Sequence, residues 1–233
     1  MLEVGGLHAY YGKSHVLQGV ELAVRPGEVV GLLGRNGVGK TTTLKAIMGL
    51  VARRGTVRFN GADISSLPAH KVPRLGIGYV PQGRHIFPEL TVRENLAISL
   101  VAEKTIPSDR LEVIFARFPV LRERWRQLGG TLSGGEQQLL AIARALIARP
   151  SVILMDEPSE GLSPVLRRVV RDHILAIQES GVGILLVEQN VKLALDTCQR
   201  VYFMEKGTVR HEIAADDLRR DETLVSRYLG VKV

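Results

Sequence analysis

An α/β fold, with an antiparallel β subdomain and an inserted α-helical subdomain, is predicted for this 233-residue chain by three observations. The apolar run Val29 to Leu33 enters the glycine-rich stretch GRNGVGKT, Gly34 to Thr41, and leaves it in a helical pattern through Leu44 and Ile47. That strand-loop-helix order is what a phosphate cradle requires. A second apolar run, Ser151 to Met155, ends in the adjacent carboxylates Asp156 and Glu157, as a buried parallel strand delivering groups to the rim of a sheet does. Between the two lies a long stretch of helical pattern, too long for a loop.

In chain order, Leu2 to Val24 favours strands, because Val20, Leu22 and Val24 alternate with Glu21 and Ala23 before the turn RPGE at Arg25 to Glu28. After the phosphate loop and its helix, GTVRFNG at Gly55 to Gly61 reads as a hairpin. Ile77 to Val80 is a buried strand, followed by helix from Thr91 to about Arg126. In the next helix Leu139, Ile142, Ala143 and Leu146 fall at i, i+3, i+4 and i+7, which turns one face inward, and Pro150 marks its end. A strand (Ser151 to Met155), a helix (Pro164 to about Gln178), a strand (Gly183 to Val187), a hairpin about Lys206-Gly207 and a short helical tail complete the order. The whole chain, 1–233, is expected to be one domain with its helical subdomain at approximately 84–150.

A hydrophobic fraction of 45% supports a sizeable core. The net charge of +7 is dispersed in short clusters such as Arg53-Arg54 and Arg167-Arg168, without the interleaved aromatics of a nucleic-acid groove. No nucleic-acid partner is therefore expected. The single cysteine, Cys198, excludes an intrachain disulfide and is expected to fill the core. The start lacks a basic leader, and no stretch approaches the roughly 18 apolar residues of a membrane span. The six histidines show no shared metal-binding spacing and are expected to be structural or on the surface; Trp125 is expected to pack inside the helical lobe.

Gly34, Gly37 and Gly39 let the backbone turn successive N–H groups toward phosphate oxygens, and the following helix aims its positive end at the same place. Lys40 supplies a mobile charge for the β- and γ-phosphates, and Thr41 a hydroxyl for Mg²⁺. Asn36 and Thr42 complete the candidate loop. Asp156 is expected to hold Mg²⁺ through water, and Glu157 to polarise the attacking water. ATP and Mg²⁺ are the expected ligands; the loop alone leaves kinase, motor and transporter open.

Further motifs narrow this. With YYGKSHVL around Tyr11, YVPQG around Gln82, LSGG at Leu132 to Gly135 and DEPSEGL in that order, nearly the whole chain resembles the nucleotide-binding subunit of an ABC transporter. The resemblance implies a P-loop NTPase core of the ABC ATPase type that hydrolyses ATP. It implies adenine stacking on Tyr11 and a Mg²⁺ contact at Gln82, whose loop also senses the membrane partner. Ser133, Gly134 and Gly135 would close over the γ-phosphate held by a second chain, so that two ATP molecules join a dimer.

The sequence departs from the family pattern at four places. Glu136 replaces glutamine, which is expected to add negative charge near the closing interface. Leu139 replaces arginine, EGLS at Glu160 to Ser163 replaces serine-alanine-leucine-aspartate, and Gln189 in LLVEQN replaces the switch histidine. A glutamine amide can donate to phosphate but cannot titrate near neutral pH, which leaves orientation and polarisation of water to Glu157. The catalytic set is therefore expected to be Glu157, Gln189 and Lys40.

These details look like the smaller ATPase of branched-chain amino-acid importers; urea and short-chain amide importers fit nearly as well. A soluble ABC-type ATPase acting on nucleic acid or ribosomes is a further alternative. The implied partners are a twin or sister ATPase chain, membrane permease subunits and, indirectly, an extracytoplasmic solute-binding protein. The implied place is the cytoplasmic face of the membrane, as a peripheral subunit.

Overall fold

The computed structural model describes residues 1–100, 103 and 105–220. The chain begins with β1 (Leu2–Tyr11) and β2 (Ser14–Val24), followed by β3 (Val29–Leu33), helix α1 (Lys40–Ile47), β4 (Ala52–Phe59), β5 (Ala62–Asp63) and β6 (Ile77–Val80). Four of these strands form an antiparallel sheet of order β2-β1-β4-β5. Alternation, reset by register shifts between Val4 and Leu7 and between Leu7 and His8, drives it: Leu2, Val4, Leu7 and Ala9 of β1 and Leu17, Val20, Leu22 and Val24 of β2 are buried on one face. The predicted hairpin starts earlier than its glycine, at Ala52, and turns at Asn60-Gly61.

The rest of the chain builds α2 (Val92–Ala97), α3 (Ser108–Arg117), α4 (Pro119–Glu123), α5 (Gly134–Leu146), β7 (Val152–Asp156), α6 (Pro164–Glu179), β8 (Gly183–Glu188), α7 (Val191–Thr197), β9 (Arg200–Glu205), β10 (Thr208–Ala214) and α8 (Ala215–Leu218). A second sheet has the order β10-β9-β3-β8-β7-β6, parallel throughout except for β10. Every residue of β3, β7 and β8 is buried, as strands covered on both faces must be. The tail predicted after the last hairpin begins as α8, and its remainder lies outside the described residues.

The helix expected from Thr91 to about Arg126 is instead three short ones among the described residues. Pro107 stands at the amino end of α3. Phe118, at φ −128° and ψ 71°, separates α3 from α4 because the proline after it disfavours helical backbone. Helix α5 stops at Leu146, before Pro150, and the chain turns at Arg149 with φ +53°.

Two cores share the parallel sheet. Val30, Leu32, Leu154, Leu185 and Val187 face α1 and the antiparallel sheet. Val29, Leu33, Ile153, Met155, Ile184 and Leu186 face the helices. The split follows from the two-residue period of a strand, which sends neighbours to opposite faces. Cys198 lies in the helix-side core, where burial pushes its thiol up to about 12. Trp125 packs edge-on against Phe115, their ring centroids 5.2 Å apart. His173 lies 4.6 Å from the Phe118 ring, and His8 and His15 are joined by a 2.9 Å hydrogen bond on the β1–β2 hairpin.

Candidate functional site

The carboxyl ends of β3, β8 and β7 lie side by side, and ligands of open α/β sheets gather at such an edge. The loop after β3 needs glycine where its backbone is left-handed, at Gly37 (φ +78°) and Gly39 (φ +113°). A Cβ on Gly39 would also lie 2.8 Å from Leu17 and 2.9 Å from Met204. Helix α1 carries no acidic residue in its first turn, so its positive end is left for an external anion.

Lys40 opens that helix and is only 5% exposed. Its ammonium donates to Gly34 O at 2.9 Å and Arg35 O at 3.2 Å, and stands 3.6 Å from Glu157 Oε1. Burial lowers its pKa, and Glu157 opposes that shift. Thr41 Oγ1 donates to Asp156 Oδ1 at 3.0 Å, joining the loop to the end of β7 across 115 residues of sequence. Glu157 follows in left-handed backbone, φ +48°, with its N–H bonded to Val187 O at 2.9 Å. A non-glycine residue held in that region is backbone strain of the kind that collects at functional sites. Gln189, after β8, donates from Nε2 to both carboxylate oxygens of Glu157 at 2.7 Å. Beneath them the buried Glu188 carboxylate accepts from the N–H groups of Ser159 (3.1 Å) and Asn190 (3.3 Å), which fixes the backbone on both flanks.

Asp156 is 1% exposed, and its Oδ2 has no hydrogen-bond partner among the described residues. A buried, unpaired carboxylate oxygen beside a threonine hydroxyl, with the Gln82 amide on the same cavity, offers the hard oxygen donors that suit Mg²⁺. No cluster of three or more metal-binding side chains of the His, Cys, Asp or Glu type occurs among the described residues. A magnesium ion here would thus complete its shell with water and phosphate oxygens.

Burial, reinforced by neighbouring Glu157, raises the Asp156 carboxyl from 3.8 to about 6. Folding therefore disfavours its ionised form, and the cost is fully present above about pH 6 and relieved as pH falls through it. The elevation corresponds to about 3 kcal/mol at most. Asp156→Asn is accordingly expected to raise Tm in magnesium-free buffer near pH 7.5, with the gain fading toward pH 5. Calorimetry of both proteins across that range checks it, and a gain independent of pH contradicts it.

A cavity of about 310 Å³ is lined by Val16, Asn36, Gly37, Gly39, Lys40, Thr41, Thr42, Gln82, Glu157, Glu160 and Gln189. Asp156 reaches it through Thr41, and Gly34 through its carbonyl on Lys40. Tyr11, 46% exposed at the end of β1, does not line it. Ser133, Gly134 and Gly135 do not line it either. They form the amino end of α5, where Ser133 Oγ accepts from the Glu136 N–H (3.3 Å) and Glu136 Oε2 from the Ser133 N–H (2.8 Å), a reciprocal capping box.

The departures from the family pattern have local causes. The Glu136 carboxylate is turned back onto its own cap; the Ser133 N–H above all holds its pKa low, and Arg124 Nε is 3.5 Å away. Its charge is thus partly compensated within the chain. Leu139 packs partly buried against the helix-side core. Glu160 accepts from Gln82 Nε2 at 3.0 Å, and Ser163 Oγ caps α6 through the Leu166 N–H. Sequence reasoning missed Val16 and Glu160 on the cavity wall and Glu188 beneath it. Only the acids had a signal, as carboxylates next to DEP and Gln189.

Residues 17–160 match the family described as ABC transporter. The high-affinity branched-chain amino acid transport ATP-binding protein BraG of Pseudomonas aeruginosa is 38% identical, over 99% of this chain and 100% of its own. The lipopolysaccharide export system ATP-binding protein LptB of Haemophilus influenzae is also 38% identical, over 99% of this chain and 97% of its own. Among solved structures, the ADP conformation of an ATP-binding cassette of an ABC transporter superposes with a TM-score of 0.82 at 29% identity, covering 99% of both chains. A dimeric bacterial ABC transporter cassette gives 0.82 at 25% identity, covering 92% of this chain and 99% of that one.

Proposed function

The chain belongs to the ABC transporter family of ATPases, and from that premise we propose that it powers branched-chain amino-acid import, docked beneath a membrane permease on the cytoplasmic face. The identity to BraG supports the cargo, and the observation that carries the nucleotide chemistry is the Thr41–Asp156 hydrogen bond, which brings the phosphate loop and the two carboxylates to one cavity while Ser133 to Gly135 lie elsewhere. A chain so built owns half of a nucleotide pocket. A second copy, or a sister ATPase, supplies the other half at its Ser133–Gly135 helix end; that a similar cassette is dimeric supports the pairing of two chains.

In this reading the N–H groups of the Asn36–Thr42 loop and Lys40 bind the β- and γ-phosphates of ATP, and Tyr11 stacks on adenine. Thr41, Asp156 and Gln82 hold Mg²⁺, which supplies charge neutralisation on the phosphates when bound. Glu157 orients the attacking water and accepts hydrogen bonds from it. Gln189 fixes the Glu157 carboxylate through its two 2.7 Å contacts and does not itself exchange a proton. Gln189→Ala is thus expected to lower turnover only about tenfold, the worth of a charge-assisted hydrogen bond. Steady-state ATPase assays check it, and a loss equal to that of Glu157→Gln would assign the chemistry to Gln189.

Reconstitution in lipid vesicles with branched-chain amino-acid permease subunits and their loaded binding protein tests the cargo. ATPase stimulation with uptake of leucine, isoleucine or valine is expected. Uptake of urea or a short amide instead would reassign the solute. Lipopolysaccharide export is the second reading, favoured by the equal identity to LptB; ATPase stimulation only by a lipopolysaccharide-exporting permease would replace import.

A further inference from the structure

The turn after Gln82 is bent more sharply than its residues favour. Gly83, Arg84 and His85 have consecutive φ values of +78°, +69° and +46°, and the His85 N–H closes onto Gly83 O at 2.8 Å. Left-handed backbone at non-glycine residues persists where its surroundings over-determine it. Here Arg144 donates to His85 O at 2.7 Å and lies over the Phe87 ring at 4.8 Å. The bend delivers the Arg84 side chain to the amino end of α5. There its Nη1 donates to Gln137 Oε1 at 3.2 Å, and Gln137 Nε2 donates in turn to Leu132 O at 3.1 Å and Gly129 O at 3.3 Å. The guanidinium lies so close over Gly134 that a Cβ there would stand 3.0 Å from both terminal nitrogens and 3.2 Å from Cζ.

Resting on the shared-pocket reading above, we infer that Arg84 is a positioning residue that locks the Ser133–Gly135 segment to the Gln82 turn and so sets the seat for the triphosphate carried by the second chain. Arg84 bonds through Gln137 to the carbonyl of Leu132, immediately before Ser133, so displacement of the turn is passed to the segment. A cation at a helix amino end opposes the helix dipole, and an arriving phosphate removes that opposition. The same geometry crowds position 134: a Cβ there would need the guanidinium to give by a few tenths of an ångström.

The test uses the full chain in a Glu157→Gln background, following ATP-driven dimerisation by light scattering and ATP affinity of the single chain with a fluorescent nucleotide. Arg84→Ala is expected to leave that affinity within about twofold and to weaken dimerisation about tenfold. Arg84→Lys restores it only in part, because one ammonium lacks the planar fork that covers Gly134 while reaching Gln137. Gly134→Ala crowds the guanidinium and is expected to give a smaller loss, and the double variant is no worse than Arg84→Ala alone. Should Arg84→Ala misfold, Gln137→Ala removes the acceptor from the other side with the same expected loss. Undiminished dimerisation of Arg84→Ala or, where that variant misfolds, of Gln137→Ala overturns the inference. So do losses that add, or a parallel fall in single-chain ATP affinity. A parent that does not dimerise with ATP overturns the shared-pocket reading and this link with it.

Discussion

Glu157→Gln is expected to hydrolyse ATP about a thousandfold more slowly than the parent while binding it at least as tightly and accumulating as an ATP-bound dimer. The substitution is close to isosteric. The 2.9 Å bond from its N–H to Val187 O and the unusual φ of +48° belong to the backbone and are untouched. What is lost is a carboxylate able to polarise water. One oxygen remains to accept from Gln189 Nε2, so the site keeps its shape without its charge. Removing a negative charge 3.6 Å from Lys40 also eases phosphate binding. Single-turnover hydrolysis together with solution mass separates the two effects. A variant that turns over at the parental rate would remove Glu157 from the chemistry.

Lys40→Ala has the second large effect expected, about a hundredfold loss of ATP affinity, or about 2.7 kcal/mol. Its ammonium is already desolvated and held by two carbonyls of the loop it serves, so little ordering is left to be done when phosphates replace those partners. The variant also leaves the Glu157 carboxylate without its neighbouring cation, which adds repulsion toward the incoming triphosphate. Equilibrium nucleotide titration checks it, and affinity within a few-fold of the parent would contradict the role given to Lys40.

Much of this was legible because it is local in sequence. The glycine loop declares its own strand and helix, and DE after the apolar run Val152 to Met155 declares a sheet rim. The breaks at Pro107 and Pro119 were also written in the chain but were overridden by a helical pattern around them. What could not be read is what depends on residues far apart. The partnership of Gln82 with Glu160 spans 78 positions and that of Gln189 with Glu157 spans 32, and neither follows a helical or strand period. The turn of Glu136 back onto its own cap depends on a local geometry that the change of residue type alone does not reveal. Arg84 gave no signal at all, since its function lies in a bend that no residue type there demands.

The parallel sheet with a core on each side works as a bulkhead. Because neighbours such as Ile153 and Leu154 load opposite compartments, trimming one loosens the lobe side and trimming the other loosens the β side, while the rim bearing the reactive groups stays anchored to the wall itself. Compliance and chemistry can therefore be altered separately in this molecule, one residue apart.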